Sequence, residues 1–280
     1  MNKLSASVVA AFVFACGTSL SAGAPQTLDT SMFTPVTTEQ APVDHVHLMI
    51  ERKTKLHGMK RDACFKMAGI KGKDFGGRVS KTVQEMKLAL ETLRAEIQAG
   101  NPVAGVASQL DELDSHWGTL AAALQQVSAG DFHAVPLRQV MTLEPEVHLL
   151  LKDIHSIFIA GGSETQTDVQ KATSEILLQK MRVQKVTKEA CLVLRGISAE
   201  TNLASLEMTE DAFTTALNAA LSQAQGAERA QLEAIKMTWN DFSTLLDNLK
   251  SQAYVADDAK LRLSVLSDDL TAQITAMEQF

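Results

Sequence analysis

LQKMRVQKVTKEACLVLRGI, residues 178–197, has a worn echo in ERKTKLHGMKRDACFKMAGI, residues 51–70. Both stretches place basic residues ahead of an Ala-Cys pair, Ala63-Cys64 in one and Ala190-Cys191 in the other, and both close on Gly-Ile. An offset of 127 residues superposes the cysteines and brings Val79, Met86 and Leu90 onto Leu206, Phe213 and Leu217. Further on, QLDELDSHW ending at Trp117 matches QLEAIKMTW ending at Trp239, 122 residues later. A longer loop after the second helix of the first copy accounts for the five-residue difference, since repeats accept length changes in their loops. One helical unit used twice is the reading that decides the fold.

Apolar residues at spacings of three and four extend that reading in both directions. Val79, Val83, Met86, Leu90, Leu93 and Ile97 form one face, and Val106, Leu110, Leu113, Trp117, Leu120 and Leu124 form the next. Helices are expected over residues 43–70, 78–99, 103–128 and 137–160, and again over 167–195, 201–224, 227–251 and 257–277. Glu144-Pro145 can start or restart the fourth, because Pro is tolerated in a first turn. Glycine-rich breaks at Gly69 to Gly77, Gly100-Asn101-Pro102 and Gly161-Gly162-Ser163 separate them. The predicted fold is all-α: two tandem up-down four-helix units, residues 43–162 and 163–280, packed as a pseudo-symmetric helical bundle.

Composition agrees with this class. Of the 280 residues, 45% are hydrophobic but only 5% aromatic, with 11 Met and six Pro, which suits Ala/Leu/Met helix packing rather than β-layers. A net charge of -7, from 26 basic and 33 acidic residues, argues against an extended nucleic-acid surface. It also makes any local basic cluster informative.

The first 24 residues, one Lys followed by an apolar run from Val8 to Ala15 and then small residues, have the shape of a secretory signal peptide cleaved between Ser21 and Ala24. Cys16 offers an alternative as a lipoprotein cysteine. Residues 25–42, rich in Thr, Pro and Gln, read as a flexible linker. The run is too short for a stable anchor and no later window is apolar enough, so the expectation is a mature chain without a transmembrane anchor, in the periplasm.

Within the repeated helix, Val169, Ala172, Ile176, Val183, Val186, Ala190, Val193 and Ile197 make a core face. Beside it runs a second stripe of Lys180, Gln184, Thr187 and Cys191, which the 127-residue shift matches to Lys53, His57, Lys60 and Cys64. Lys180, Arg182, Lys185 and Lys188 have no acid among them, and neither do Arg52, Lys53, Lys55, Lys60 and Arg61. If the two first helices pack together, their seam can hold a small anion, with Lys53, His57, Lys60, Lys180, Gln184 and Thr187 as its candidate ligands. The alternative is a pair of solvated basic faces. In an oxidising compartment Cys64 and Cys191 can face each other and form a disulfide, or remain as two separately buried thiols.

Gln179-Lys180-Met181 followed by Gln184-Lys185-Val186-Thr187-Lys188 resembles the Q-R-M-x-x-Q-R-M-x-K signature that opens the type IV pili methyl-accepting chemotaxis transducer N-terminal domain, the PilJ-type domain. Leu206, Phe213, Leu217 and the third-helix Trp also look like that family. Such domains are similar to NarX-type nitrate sensor domains, in which a first-helix Arg from each subunit binds nitrate at the dimer seam. The resemblance implies a chemotaxis-related sensory or ligand-binding role, with the Arg position falling on Lys180 and, through the repeat, on Lys53. Lys at both places removes bidentate recognition by Arg. The first copy further departs in Arg52, Thr54 and His57. Family members usually precede a membrane helix and a signalling module, so the expected partner is a membrane receptor or another envelope protein.

No phosphate loop, nucleophile elbow, zinc-protease helix or haem motif occurs, so no catalytic residue, cofactor or metal is expected. His45-x-His47 points its two rings to different sides of a helix. His148 and His155, seven apart, read as neighbours on a bundle face, and Trp117 and Trp239 as core anchors. The alternative function is a non-catalytic helical scaffold or interaction protein of the cell envelope.

Overall fold

The structure, a computed structural model, describes residues 45–99, 106–160, 168–251 and 256–279. The readings of a signal peptide, a linker and a lipoprotein Cys16 lie outside these residues. The described chain is all-α: α1 His45–Met67, α2 Phe75–Ala99, α3 Val106–Ser128, α4 Ala134–Ala160, α5 Asp168–Leu194, α6 Ala199–Gln223, α7 Gly226–Ser251 and α8 Asp257–Ala276, closed by a 3-10 turn at Met277–Gln279. No described helix is long and apolar enough to cross a membrane.

Boundaries follow local chemistry. Gly69 takes a φ of 70° after α1, and Gly196 one of 66° after α5, the left-handed geometry that ends a helix with least strain on Gly. The expected start of the second helix at Arg78 is three residues late: Phe75, Gly76 and Gly77 already lie in α2. Asp74 caps this end, its Oδ1 accepting from the Gly77 backbone N–H at 2.9 Å. Gly76 is required for packing, because a Cβ there would come within 2.6 Å of the Ser128 carbonyl oxygen at the end of α3. Pro145 neither starts nor restarts α4 but sits inside it, where it removes one N–H from the ladder.

Helices α1 to α4 close a ring of neighbours, α1 on α2 and α4 and α3 on α2 and α4, and α5 to α8 close a second ring in the same order. Residues 43–280 nevertheless form one compact unit, because α1 and α5 share the most extensive helix–helix contact in the described chain. Two apolar cores result. The first gathers Val79, Met86, Leu113, Trp117, Leu120, Val147 and Leu151. The second gathers Val183, Val186, Phe213, Trp239, Phe242, Leu263 and Leu270, together with Cys64, Phe65 and Phe75 from the first half.

Buried positions recur between the rings. Leu110, Leu113, Trp117, Leu120, Leu124 and Val127 of α3 correspond, 122 residues later, to Leu232, Ile235, Trp239, Phe242, Leu246 and Leu249 of α7, all buried. Val140, Glu144, Val147, Leu151 and Ile154 correspond, 123 residues later, to Leu263, Ser267, Leu270, Ile274 and Met277. Among the latter set, one core position thus carries Glu in α4 and Ser in α8.

Candidate functional site

The central helices are buried on several sides, so many of the basic residues they carry are withdrawn from water. Arg52, Lys53, His57, Lys60, Arg61 and Asp62 of α1 and Gln184, Thr187, Lys188 and Glu189 of α5 are all buried. Removing such groups from water costs several kcal/mol per ion unless partners replace the lost hydration.

The principal partner is Glu144, only 3% exposed. Its Oε2 accepts from Lys60 Nζ at 2.7 Å, and its Oε1 from His57 Nδ1 at 3.2 Å and Lys188 Nζ at 3.3 Å. Three donors, from α1 and α5, therefore converge on one carboxylate of α4. Burial opposes its ionisation, but Lys188, Lys60 and His57 prevail and hold the Glu144 carboxyl well below the usual range. Burial, aided by Lys188, lowers His57 to about 3, so its ring is neutral at physiological pH. With the proton on Nδ1 facing Glu144, Nε2 is left as a buried acceptor without a partner. The His148 ring lies 4.9 Å from that of His57, centroid to centroid, and burial lowers it to about 4.

Each nominated ligand residue has a protein partner. Lys53 Nζ donates to His155 Nδ1 at 2.9 Å, and burial, with Lys152 nearby, lowers Lys53 to about 8. Lys180, half-buried, donates to Glu278 Oε1 at 3.0 Å. Gln184 Nε2 donates to Thr271 Oγ1 at 2.9 Å, and Thr187 donates to the Val183 carbonyl at 2.7 Å while meeting Ser267 Oγ at 2.9 Å. His57 and Lys60 share Glu144; Lys53 and Lys180 share nothing. Cys64 and Cys191 are brought to disulfide distance, with Cα atoms 6.2 Å apart, inside the apolar core at one end of the seam.

Shifts of 127 residues on α1 and 123 on α4 carry one set of contacts into the other. Lys53 with His155 becomes Lys180 with Glu278, His57 with His148 becomes Gln184 with Thr271, and Lys60 with Glu144 becomes Thr187 with Ser267. Crossing between the halves, Lys188 with Glu144 matches Arg61 with Ser267 at 3.2 Å.

A second charged knot flanks the first. Arg61 binds Asp62 and Asp268, while Arg78 binds Asp62 at 2.9 Å and Asp268 at 2.7 Å, with Lys73 on Asp268 at 2.8 Å. These contacts depress the Asp268 carboxyl, against the opposing effect of burial. Glu189 accepts from Ser205 at 2.7 Å through Oε1, and its Oε2 is buried without a partner. Burial pushes the Glu189 carboxyl up, only partly offset by Lys185 and Lys188.

Sequence reasoning missed Glu144, Asp268 and Glu189. Glu144 had a signal: it interrupts the apolar series Val140, Val147, Leu151, Ile154 at a core-facing step. His148 and His155 do lie on a bundle face, and that face meets α1 at His57 and Lys53. Among the described residues no group of three or more His, Cys, Asp or Glu is arranged to hold a metal ion. No family model matches the chain, and no curated protein or solved structure matches it.

Proposed function

We propose that this chain is an exported, non-catalytic sensory or ligand-binding protein, built as two PilJ-like units about an approximate two-fold axis, in which the α1–α5 seam responds to a small anion. The observation that carries the reading is the Glu144 cluster. Lys60, Lys188 and His57 present converging donors to one carboxylate at distances of 2.7 to 3.3 Å, a geometry that suits any small oxyanion. Apolar residues would close the bundle at least as stably, since replacing a buried ion cluster by well-packed hydrophobes is often neutral or favourable by about 1–4 kcal/mol. Retaining buried charge at the joint between the halves fits a responsive element. Glu144 is then the resting occupant, with which an external anion competes.

The scaffold reading is favoured by a different observation: Lys53, Lys180, Gln184 and Thr187 all have protein partners, so the seam closes without any anion. A thermal-shift series separates the two. Nitrate, nitrite, formate and acetate are titrated against the wild type and against Glu144→Ala, which empties the carboxylate position. The sensory reading predicts that at least one anion stabilises both proteins, Glu144→Ala by more, with about 2.7 kcal/mol at one hundred times the dissociation constant. No shift in either protein with any of the four anions would leave the scaffold.

A further inference from the structure

Beside the seam, a cavity of about 310 Å³ opens among α1, α2 and α5, lined in part by Gly58, Gln184, Lys55, Arg61, Arg78 and Lys81. Its floor is Gln184, only 6% exposed. The Thr271 hydroxyl donates to the Ser267 carbonyl at 2.7 Å, so toward Gln184 it can only accept, and Gln184 must turn its amide NH2 to Thr271. Oε1 therefore faces Gly58, where it would lie 3.5 Å from an added Cβ, and it has no hydrogen-bond partner. A buried acceptor left unpaired costs about 1–3 kcal/mol, and here it sits beside Gly58 on a residue of the cavity wall.

The remaining chemistry is cationic. Arg61 and Arg78 are neutralised by Asp62 and Asp268. Lys55 and Lys81 stand on the rim: Lys55 bridges Glu51 at 3.4 Å and Glu85 at 3.3 Å, while Lys81, 78% exposed, reaches Glu85 only at 3.8 Å. With Lys73 included, the lining and its immediate partners carry five basic groups, Lys55, Arg61, Lys73, Arg78 and Lys81, against the four acidic groups Glu51, Asp62, Glu85 and Asp268. A Gly in mid-helix is unfavourable by about 1 kcal/mol against Ala, and at position 58 its missing side chain keeps the cavity open.

We infer that this cavity is a binding site for a small hydroxycarboxylate, whose hydroxyl donates to Gln184 Oε1 while its carboxylates meet Lys55 and Lys81. The inference goes beyond the seam reading above, since the cavity is lined by none of Lys60, Glu144 and Lys188. Nitrate and simple carboxylates carry no donor and leave Gln184 unpaired.

Calorimetric titration of malate against succinate tests this, because the two acids differ by one hydroxyl. Malate is expected to bind the wild type about tenfold more tightly. Gln184→Met abolishes that preference, Gly58→Val blocks both acids, and Lys81→Ala on the exposed rim weakens both alike. Far-UV circular dichroism confirms that each variant is folded. Equal affinity for malate and succinate, no binding of either because the cavity holds ordered water only, or unaltered malate binding in Gly58→Val overturns the inference. If donor-free anions still stabilise Glu144→Ala in those events, the seam reading survives while this one falls.

Discussion

At the scale of single residues the electrostatics of the seam make firm predictions. Glu144→Gln leaves Lys60 and Lys188 buried beside each other without a counter-charge, and is expected to cost about 3–5 kcal/mol in chemical denaturation. That loss should shrink as pH rises, because burial lowers Lys60, which sheds its proton more readily than in the unfolded chain. His57 gives the same sign at lower pH. Its folded value of about 3 lies below the ordinary 6.5, so between these limits the unfolded chain binds a proton that the native state refuses. Stability is complete above pH 6.5 and declines by about 1.4 kcal/mol for each pH unit below it. His148 adds to the decline down to about pH 4. Denaturation midpoints measured from pH 7 to pH 4 check this, and His57→Gln should flatten the slope.

At the scale of helices, glycine positions separate packing from propensity. Gly58→Ala is expected to stabilise by up to about 1 kcal/mol, since its Cβ would make only ordinary contact with Gln184. Gly76→Ala should destabilise, because its Cβ would meet a backbone carbonyl at 2.6 Å that cannot move aside. Thermal melts of the two variants shifting in opposite directions would bear this out. Helix existence was legible in the sequence because the three-and-four spacing of residues such as Val106, Leu110, Leu113 and Trp117 is a local property. The start of α2 was not, because it depends on Asp74 capping Gly77 and on the fit of Gly76 against Ser128. The site was half legible. Charge concentration marked Lys53, Lys60 and Lys180, and the repeat marked Cys64 and Cys191. The partners that answer the three lysines, His155 and Glu144 of α4 and Glu278 of the turn after α8, are distant in sequence, and their approach is tertiary.

At the scale of the whole molecule, the two rings are joined by the α1–α5 contact, the cysteine pair and the charges that cross between halves. Linking Cys64 to Cys191 spans 127 residues, for which the chain-entropy model gives about 5 kcal/mol. Reduction, or the paired Cys64→Ser and Cys191→Ser substitutions, is expected to lower unfolding free energy by up to that amount, as measured in urea. Replacing Lys60, Glu144 and Lys188 together by Met, Leu and Met should leave the fold at least as stable as the wild type. It should also erase the anion response.

The most direct test of a charged joint between the halves is a double-mutant cycle on Lys188 of α5 and Glu144 of α4, whose charged atoms lie 3.3 Å apart. Unfolding free energies are measured for the wild type, Lys188→Met, Glu144→Gln and the double variant. The seam predicts a coupling of about 1.5–3 kcal/mol, and additivity to within about 0.5 kcal/mol would contradict it.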